Sequence, residues 1–160
     1  MAVDMFLKIK GVDGESVDKV HAKEIDILSW SWGMSQSGTT HTARGGGAGK
    51  VSVQDLSITK YTDKSTPNLI KACCNGKHFE EAVLTVRKAG EQPLEYIILT
   101  MKDVLVTAVS EGGSGGDDRL TENITLNFAE FSYVYVPQKR DGGADGKVEA
   151  TFNIATNSEK

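Results

Sequence analysis

The chain has 160 residues and a formal net charge of −4, from 18 Lys and Arg against 22 Asp and Glu. At this length a domain buries about two thirds of its unfolded surface, so one core suffices and no disulfide framework is required. The positive charges stand singly, as in Lys8, Lys50, Lys71, Arg87 and Arg140, which excludes a general attraction for nucleic acid, and apolar runs such as Ile97-Ile98-Leu99 fall far short of the ~20 residues that span a bilayer, so membrane insertion is not expected.

The first residues, Met1 to Phe6, carry neither the basic leader nor the long apolar run of a secretory signal. Export, if it occurs, then depends on something that carries or pushes the protein. Val3, Met5, Leu7 and Ile9 share one parity and Asp4, Lys8 and Lys10 the other, which predicts a half-buried strand ended by the turn Gly11-Val12-Asp13-Gly14. From about Ala22 the apolar set is Ile25 and Ile27, then Leu28, Trp30, Trp32 and Met34. The parity flips between Ile27 and Leu28, as at a β-bulge or where a strand leaves one sheet for another. A second flip separates Ile124, Leu126 and Phe128 from Phe131, Tyr133 and Tyr135. Two long strands that change face suggest a closed or strongly coiled barrel.

Residues 35–50, rich in Ser, Thr and Gly, have almost nothing to bury, and a connection of this length in a compact domain points to a functional arm or a disordered linker. Further strands are predicted at 51–58, 78–88, 94–102, 104–111, 120–136 and 147–156. Between them, residues 65–76 open on a hydroxyl cap with a proline at the first helical position and close on Gly76, with Leu69, Ile70 and Cys73 on one face. The expectation is an all-β chain: a barrel of two antiparallel β-sheets with one short α-helix, at about 66–75, and a long extended loop, all within one domain, 1–160.

Little in the sequence points to chemistry. The run Gly45-Gly46-Gly47-Ala48-Gly49-Lys50 invites a phosphate-loop reading, but Arg44 stands where the first glycine belongs, Val51 replaces the magnesium-binding hydroxyl, and a strand follows instead of a helix. Asp141-Gly142-Gly143-Ala144-Asp145-Gly146 starts like a calcium loop, yet Phe152 takes the place of the bidentate glutamate. His21, His41 and His78 are not paired at ligand spacing. Adjacent Cys73 and Cys74 would strain a bridge that closes almost no loop, so both are expected reduced, as suits the cytoplasm. No cofactor, metal or catalytic role is expected.

Four blocks carry a more specific signal. Residues 24–38, Glu24-Ile25-Asp26-Ile27-Leu28-Ser29-Trp30-Ser31-Trp32-Gly33-Met34-Ser35-Gln36-Ser37-Gly38, resemble the signature strand of the haemolysin-coregulated protein family, tube subunits of type VI secretion systems. Residues 53–69, 84–90 and 112–123 are similar to the same family in the same order. The resemblance implies a hexameric ring stacked into a hollow tube, a contractile sheath and a spike protein as partners, and small secreted effectors received in the lumen. It also implies a cytoplasmic protein that, on firing, reaches the extracellular space or a target cell without a signal peptide.

On that resemblance, the arm residues Ser37, Gly38, Thr39, Thr40, His41, Thr42, Ala43, Arg44, Gly45, Gly46 and Gly47 are expected to stack one ring on the next by adding to a neighbour's sheet edge. Ser29 and Ser31, which alternate with Trp30 and Trp32, are expected to face the lumen and contact effectors. The competing reading is a ligand-binding β-barrel with a pocket at Trp30 and Trp32.

Overall fold

The computed structural model describes residues 3–38, 40–41 and 49–159. Among these, the chain forms β1 (Val3–Ile9), β2 (Ile25–Asp26), β3 (Ser29–Ser31), β4 (Met34–Ser35), β5 (Ser52–Val53), β6 (Leu56–Tyr61), α1 (Thr66–Asn75), β7 (His78–Lys88), β8 (Leu94–Glu111), β9 (Thr121–Tyr135), β10 (Val148–Asn153) and β11 (Ser158–Glu159). All strand pairs are antiparallel, as in the all-β architecture expected.

The flip at Ile27 and Leu28 is a change of partner. β2 pairs with β1, then Ile27 N donates to Met5 O at 3.0 Å, Leu28 N donates to Thr59 O at 2.8 Å, and β3 pairs with β6. Since β6 continues through β9, β8 and β7 back to β1, this crossing closes the wall into a barrel. A closed wall leaves these strands without a free edge. β10 and β11 extend the sheet from the far half of β9, and β4 with β5 forms a separate two-stranded sheet.

The second flip has another cause. Asp103 adopts a left-handed φ of 55° within β8, so the strand predicted to break between Lys102 and Val104 instead continues through a kink. Registered rows flank it on both sides, Phe79, Val104 and Phe128 on one, Glu81, Lys102 and Glu130 on the other. Three neighbouring strands slip in alternation along this line: Phe79 and Ala82, Met101 and Val104, Phe128 and Phe131 all enter one core. A slip of one residue would otherwise turn half of each strand's apolar set to solvent.

The helix lies where expected, but its inner face differs. Leu69, Ala72 and Thr66 are buried, Cys73 is half-buried, and Ile70 is 39% exposed. Ser65 makes no capping bond to the helix; its hydroxyl donates to Asp63 instead, and Gly76, at φ 68°, provides the left-handed C-cap.

The inward parity of β6 runs Leu56, Ile58, Lys60, and that of β9 runs Glu122, Ile124, Leu126, so an ion pair occupies the end of an otherwise apolar row. Lys60 is 0% exposed. Its ammonium donates to Glu122, to Tyr61 O at 2.9 Å and to Asp63 Oδ1 at 3.0 Å, with Thr66 Oγ1 at 3.3 Å. Thr66 in turn donates to Glu122 Oε1 at 2.7 Å, which ties the start of α1 to the barrel wall. Burial of two charges is tolerated only because each finds this many partners. Glu122→Ala, which strands the ammonium, is expected to lower unfolding free energy by about 3–5 kcal/mol in urea titration, whereas the volume-matched pair Lys60→Met with Glu122→Leu should lose far less.

Candidate functional site

Ser29 and Ser31 are both exposed on β3 and pair in register with Thr59 and Ser57 of β6. The rows continue across the wall. Ser57 faces Thr125 and then Ala108, and Thr59 faces Asn123 and then Ser110. Partners in register project to the same side of a sheet, so four strands contribute one continuous outer face of short Ser, Thr, Asn and Ala side chains.

Hydrogen bonds knit part of this face. Thr59 Oγ1 donates to Asn123 Oδ1 at 2.8 Å, Thr107 Oγ1 donates to Asp55 Oδ2 at 2.7 Å, and Asn127 Nδ2 donates to Asp55 Oδ1 at 2.9 Å. The Thr107 and Thr125 hydroxyls lie 2.7 Å apart. Such a surface offers donors and acceptors on a stiff support and little apolar area. It can slide past or transiently hold a polar object.

The opposite parity is apolar. Trp30 and Trp32 pack against the core, and Trp32 meets Phe131 edge-on at 4.9 Å and lies near Phe128 and Tyr133. An open cavity of about 830 Å³ lies elsewhere, at the base of the arm, lined by Met34, Val51, Val53, Phe131, Phe152 and neighbouring polar groups.

The arm region begins and ends as a hairpin stem. Met34 and Ser35 pair with Val53 and Ser52, and Gly49 N donates to Ser37 O at 3.3 Å, so the two ends of the segment are paired to each other. Of the arm residues, Ser37, Gly38, Thr40 and His41 are exposed, while Thr39, Thr42, Ala43, Arg44, Gly45, Gly46 and Gly47 lie outside the described residues.

At the end of β8, on the parity of Glu122, sits a second carboxylate that alternation did not single out. Glu111 is the cross-strand partner of Glu122, whose Oε1 is taken by Lys60 and Thr66. The Oε2 atom of Glu122 has no other partner among the described residues. Hydrogen bonding to Glu122, then burial and the charge of Glu122, push the pKa of Glu111 up to about 7. The signal was present as parity, since Lys60 and Glu122 fall on the inward positions of two apolar rows.

Among the described residues no group of three or more His, Cys, Asp or Glu could hold a metal ion, and no helix is long and apolar enough to cross a membrane.

The sequence matches the family described as "Type VI secretion system effector, Hcp" over residues 6–135. The chain belongs to the Hcp family of type VI secretion systems. It is 65% identical to Protein hcp1 of Pseudomonas aeruginosa over 159 residues, covering 98% of each chain. The fold superposes on the crystal structure of Hcp1 from Salmonella typhimurium with a TM-score of 0.83 at 41% identity, covering 100% of both chains. A solved type six secretion system protein gives a TM-score of 0.94 at 31% identity, covering 99% of this chain and 100% of that one. An Hcp-family member is a secretion component, and its secreted role follows from the family.

The raised pKa of Glu111 has a defined pH signature. The neutral carboxyl is favoured in the native state, so this stabilisation is complete below the ordinary glutamate value of 4.5 and is lost as pH rises through about 7. Thermal unfolding between these limits should show stability falling with pH in the native sequence and a flatter profile in Glu111→Gln.

Proposed function

We propose that this protein is the structural subunit of a type VI secretion inner tube: six copies close into a ring, rings stack through the arm, and the polar face around Ser31 lines the bore. The observation that carries this reading is the 65% identity, over 98% of both chains, to an Hcp1 protein. Physical features support it. A head-to-tail contact whose rotation closes makes a ring, and a second contact along the axis makes an open stack. Exposed apolar residues on separate parts of the surface, Val17, Val20 and Val148 among them, supply candidate anchors for such contacts.

The role proposed is mechanical and not catalytic. His21 engages Glu24 and Glu95 through its two ring nitrogens, and His78 engages Asp103, so these imidazoles are held by carboxylates and not by a hydroxyl or thiol nucleophile. The small hydroxyls of Ser29, Ser31, Ser57 and Thr59 leave room for cargo in the bore, and their hydrogen-bonding capacity suits weak, reversible retention of small effectors. A sheath around the tube and a spike at its tip are the proposed partners. The subunit is taken to be cytoplasmic before it is driven out.

Electron microscopy and sedimentation of the purified protein test the reading: annular hexamers are expected, and only lone particles at high concentration would sink it. Ser31→Gln should leave rings intact while lowering co-purification of a cognate effector; unchanged retention removes Ser31 from the lumen role. Deleting residues 39–47 should spare the fold and abolish long tubes, and tubes of normal length after that deletion would refute the arm assignment.

A further inference from the structure

Residues 13–24 leave the end of β1 and return across the outside of the barrel as a strap. Gly14 N donates to Lys23 O at 2.7 Å, Ser16 N to Glu24 O at 3.0 Å and Lys23 N to Ser16 O at 2.8 Å, drawing the two ends together. A Cβ on Gly14 would lie 2.4 Å from Glu24 O, so only glycine permits this approach. Beneath the strap is Phe6, which shares the outward parity of Asp4 and Lys8 yet is 3% exposed. Its burial comes from the strap: the His21 ring stacks on it with centroids 4.5 Å apart, and the Arg87 guanidinium lies 5.1 Å from its centroid.

Two attachments pin the strap to the wall, and they differ in kind. Arg87 of β7 donates two bonds to Asp18, at 2.7 and 3.1 Å, and a third to Asp4 at 3.0 Å; Asp18's carboxyl is held far below the usual carboxylate range by that hydrogen bonding, so this anchor is permanent near neutrality. The second anchor is His21. Its Nδ1 lies 2.8 Å from Glu24 Oε2 on the strap, and its Nε2 lies 2.6 Å from Glu95 Oε1 on β8. Ionised carboxylates only accept, so both ring nitrogens must donate, and only the imidazolium can do that.

We propose that His21 is a proton-dependent latch: as an imidazolium bridging Glu24 to Glu95 it holds the second half of the strap over Phe6, and loss of its proton frees that half while Arg87 keeps Asp18 in place. Neutral imidazole would turn a lone pair towards one carboxylate at hydrogen-bond distance, converting an attraction into a repulsion. Burial by itself lowers the pKa of His21, but the hydrogen bonds and charges of Glu95 and Glu24 more than offset it, so the net direction is upward from 6.5. The other charged groups nearby act at longer range. Lys8 of β1, Lys10 just after it and Glu81 of β7 line an open cavity of about 430 Å³ with His21 and Glu24, and Lys10 is already paired to Glu80 at 2.6 Å. Asp4 and Asp18 share the Arg87 guanidinium beyond the Phe6 ring, leaving one net negative charge there.

The sign follows directly. A histidine whose closed-state pKa lies above 6.5 contributes latch stability that is complete below 6.5 and is lost as pH rises through the raised value. What the latch controls follows from its place: Val20, 71% exposed and next to His21, lies on the half that the latch holds.

Hydrogen exchange of the intact protein from about pH 5.5 to 9.5, with each rate divided by its intrinsic value at that pH, tests this together with NMR of ¹³C-labelled histidine. His21 is expected to titrate above 6.5, and protection at Ser16, Lys23 and Glu24 amides should fall through the same midpoint, by about ten-fold for each unit of elevation, while β7 amides stay unchanged. Glu95→Gln should move the His21 midpoint and the strap transition together to lower pH, and Glu24→Gln should do the same. A native midpoint at or below 6.5, strap protection that is flat across the range, or a strap transition that fails to follow His21 in both variants would overturn the proposal.

Discussion

The architecture depends on one exchange of hydrogen-bond partners. At Ile27 the backbone still donates to β1, and at Leu28 it donates to β6. Without that crossing, the sheet from β6 round to β1 would end in two free edges; with it, six neighbouring segments form a closed wall. Closure also decides which side chains face out, because the residue spent in the crossing moves Trp30 inward and Ser29 and Ser31 outward. The continuous polar face across β3, β6, β9 and β8 is a consequence of that single step.

The buried polar groups serve the same closed wall. Lys60 and Glu122 take core positions at the end of apolar rows, and through Thr66 and Asp63 they fasten the helix entrance to the barrel. Glu111 stands beside Glu122 as its cross-strand partner. An apolar pair could fill the volume, but it would leave the turn before α1 without its hydrogen-bond partners. On the other side of the barrel, the strap covers Phe6 by stacking and charge pairing. The wall is therefore sealed by polar networks at two places where its alternation leaves it incomplete. A subunit proposed to bear mechanical load in a stack gains from such cross-links, since each joins segments distant in sequence.

Much of the fold was legible as alternation. The first strand ends before the predicted turn at Gly11, the strand at 78–88 has the predicted limits, the helix lies at 66–75, and both parity flips mark real departures from a simple strand. Family resemblance at residues 24–38 and three later blocks agreed with the comparison to Hcp proteins. Other features were invisible to period-two reading. Leu94–Glu111 looked like two strands because a left-handed Asp103 imitates a break. Ile70 was placed on the helix's inner face, yet Ala72 packs there, since a single apolar stripe on a short helix leaves its rotation about the axis to be fixed by the wall it meets.

The sequence by itself determined the strand alternation, the one helix, the Ser-rich face opposite the tryptophans and the family. Tertiary structure alone decided which distant charges meet: Lys60 with Glu122, Glu111 with Glu122, Arg87 with Asp18, and His21 with Glu95. The reason is physical. Alternation is a local property that each strand carries in its own residues, whereas an ion pair across 62 or 74 positions exists only after barrel closure and strap docking bring its partners within hydrogen-bond reach.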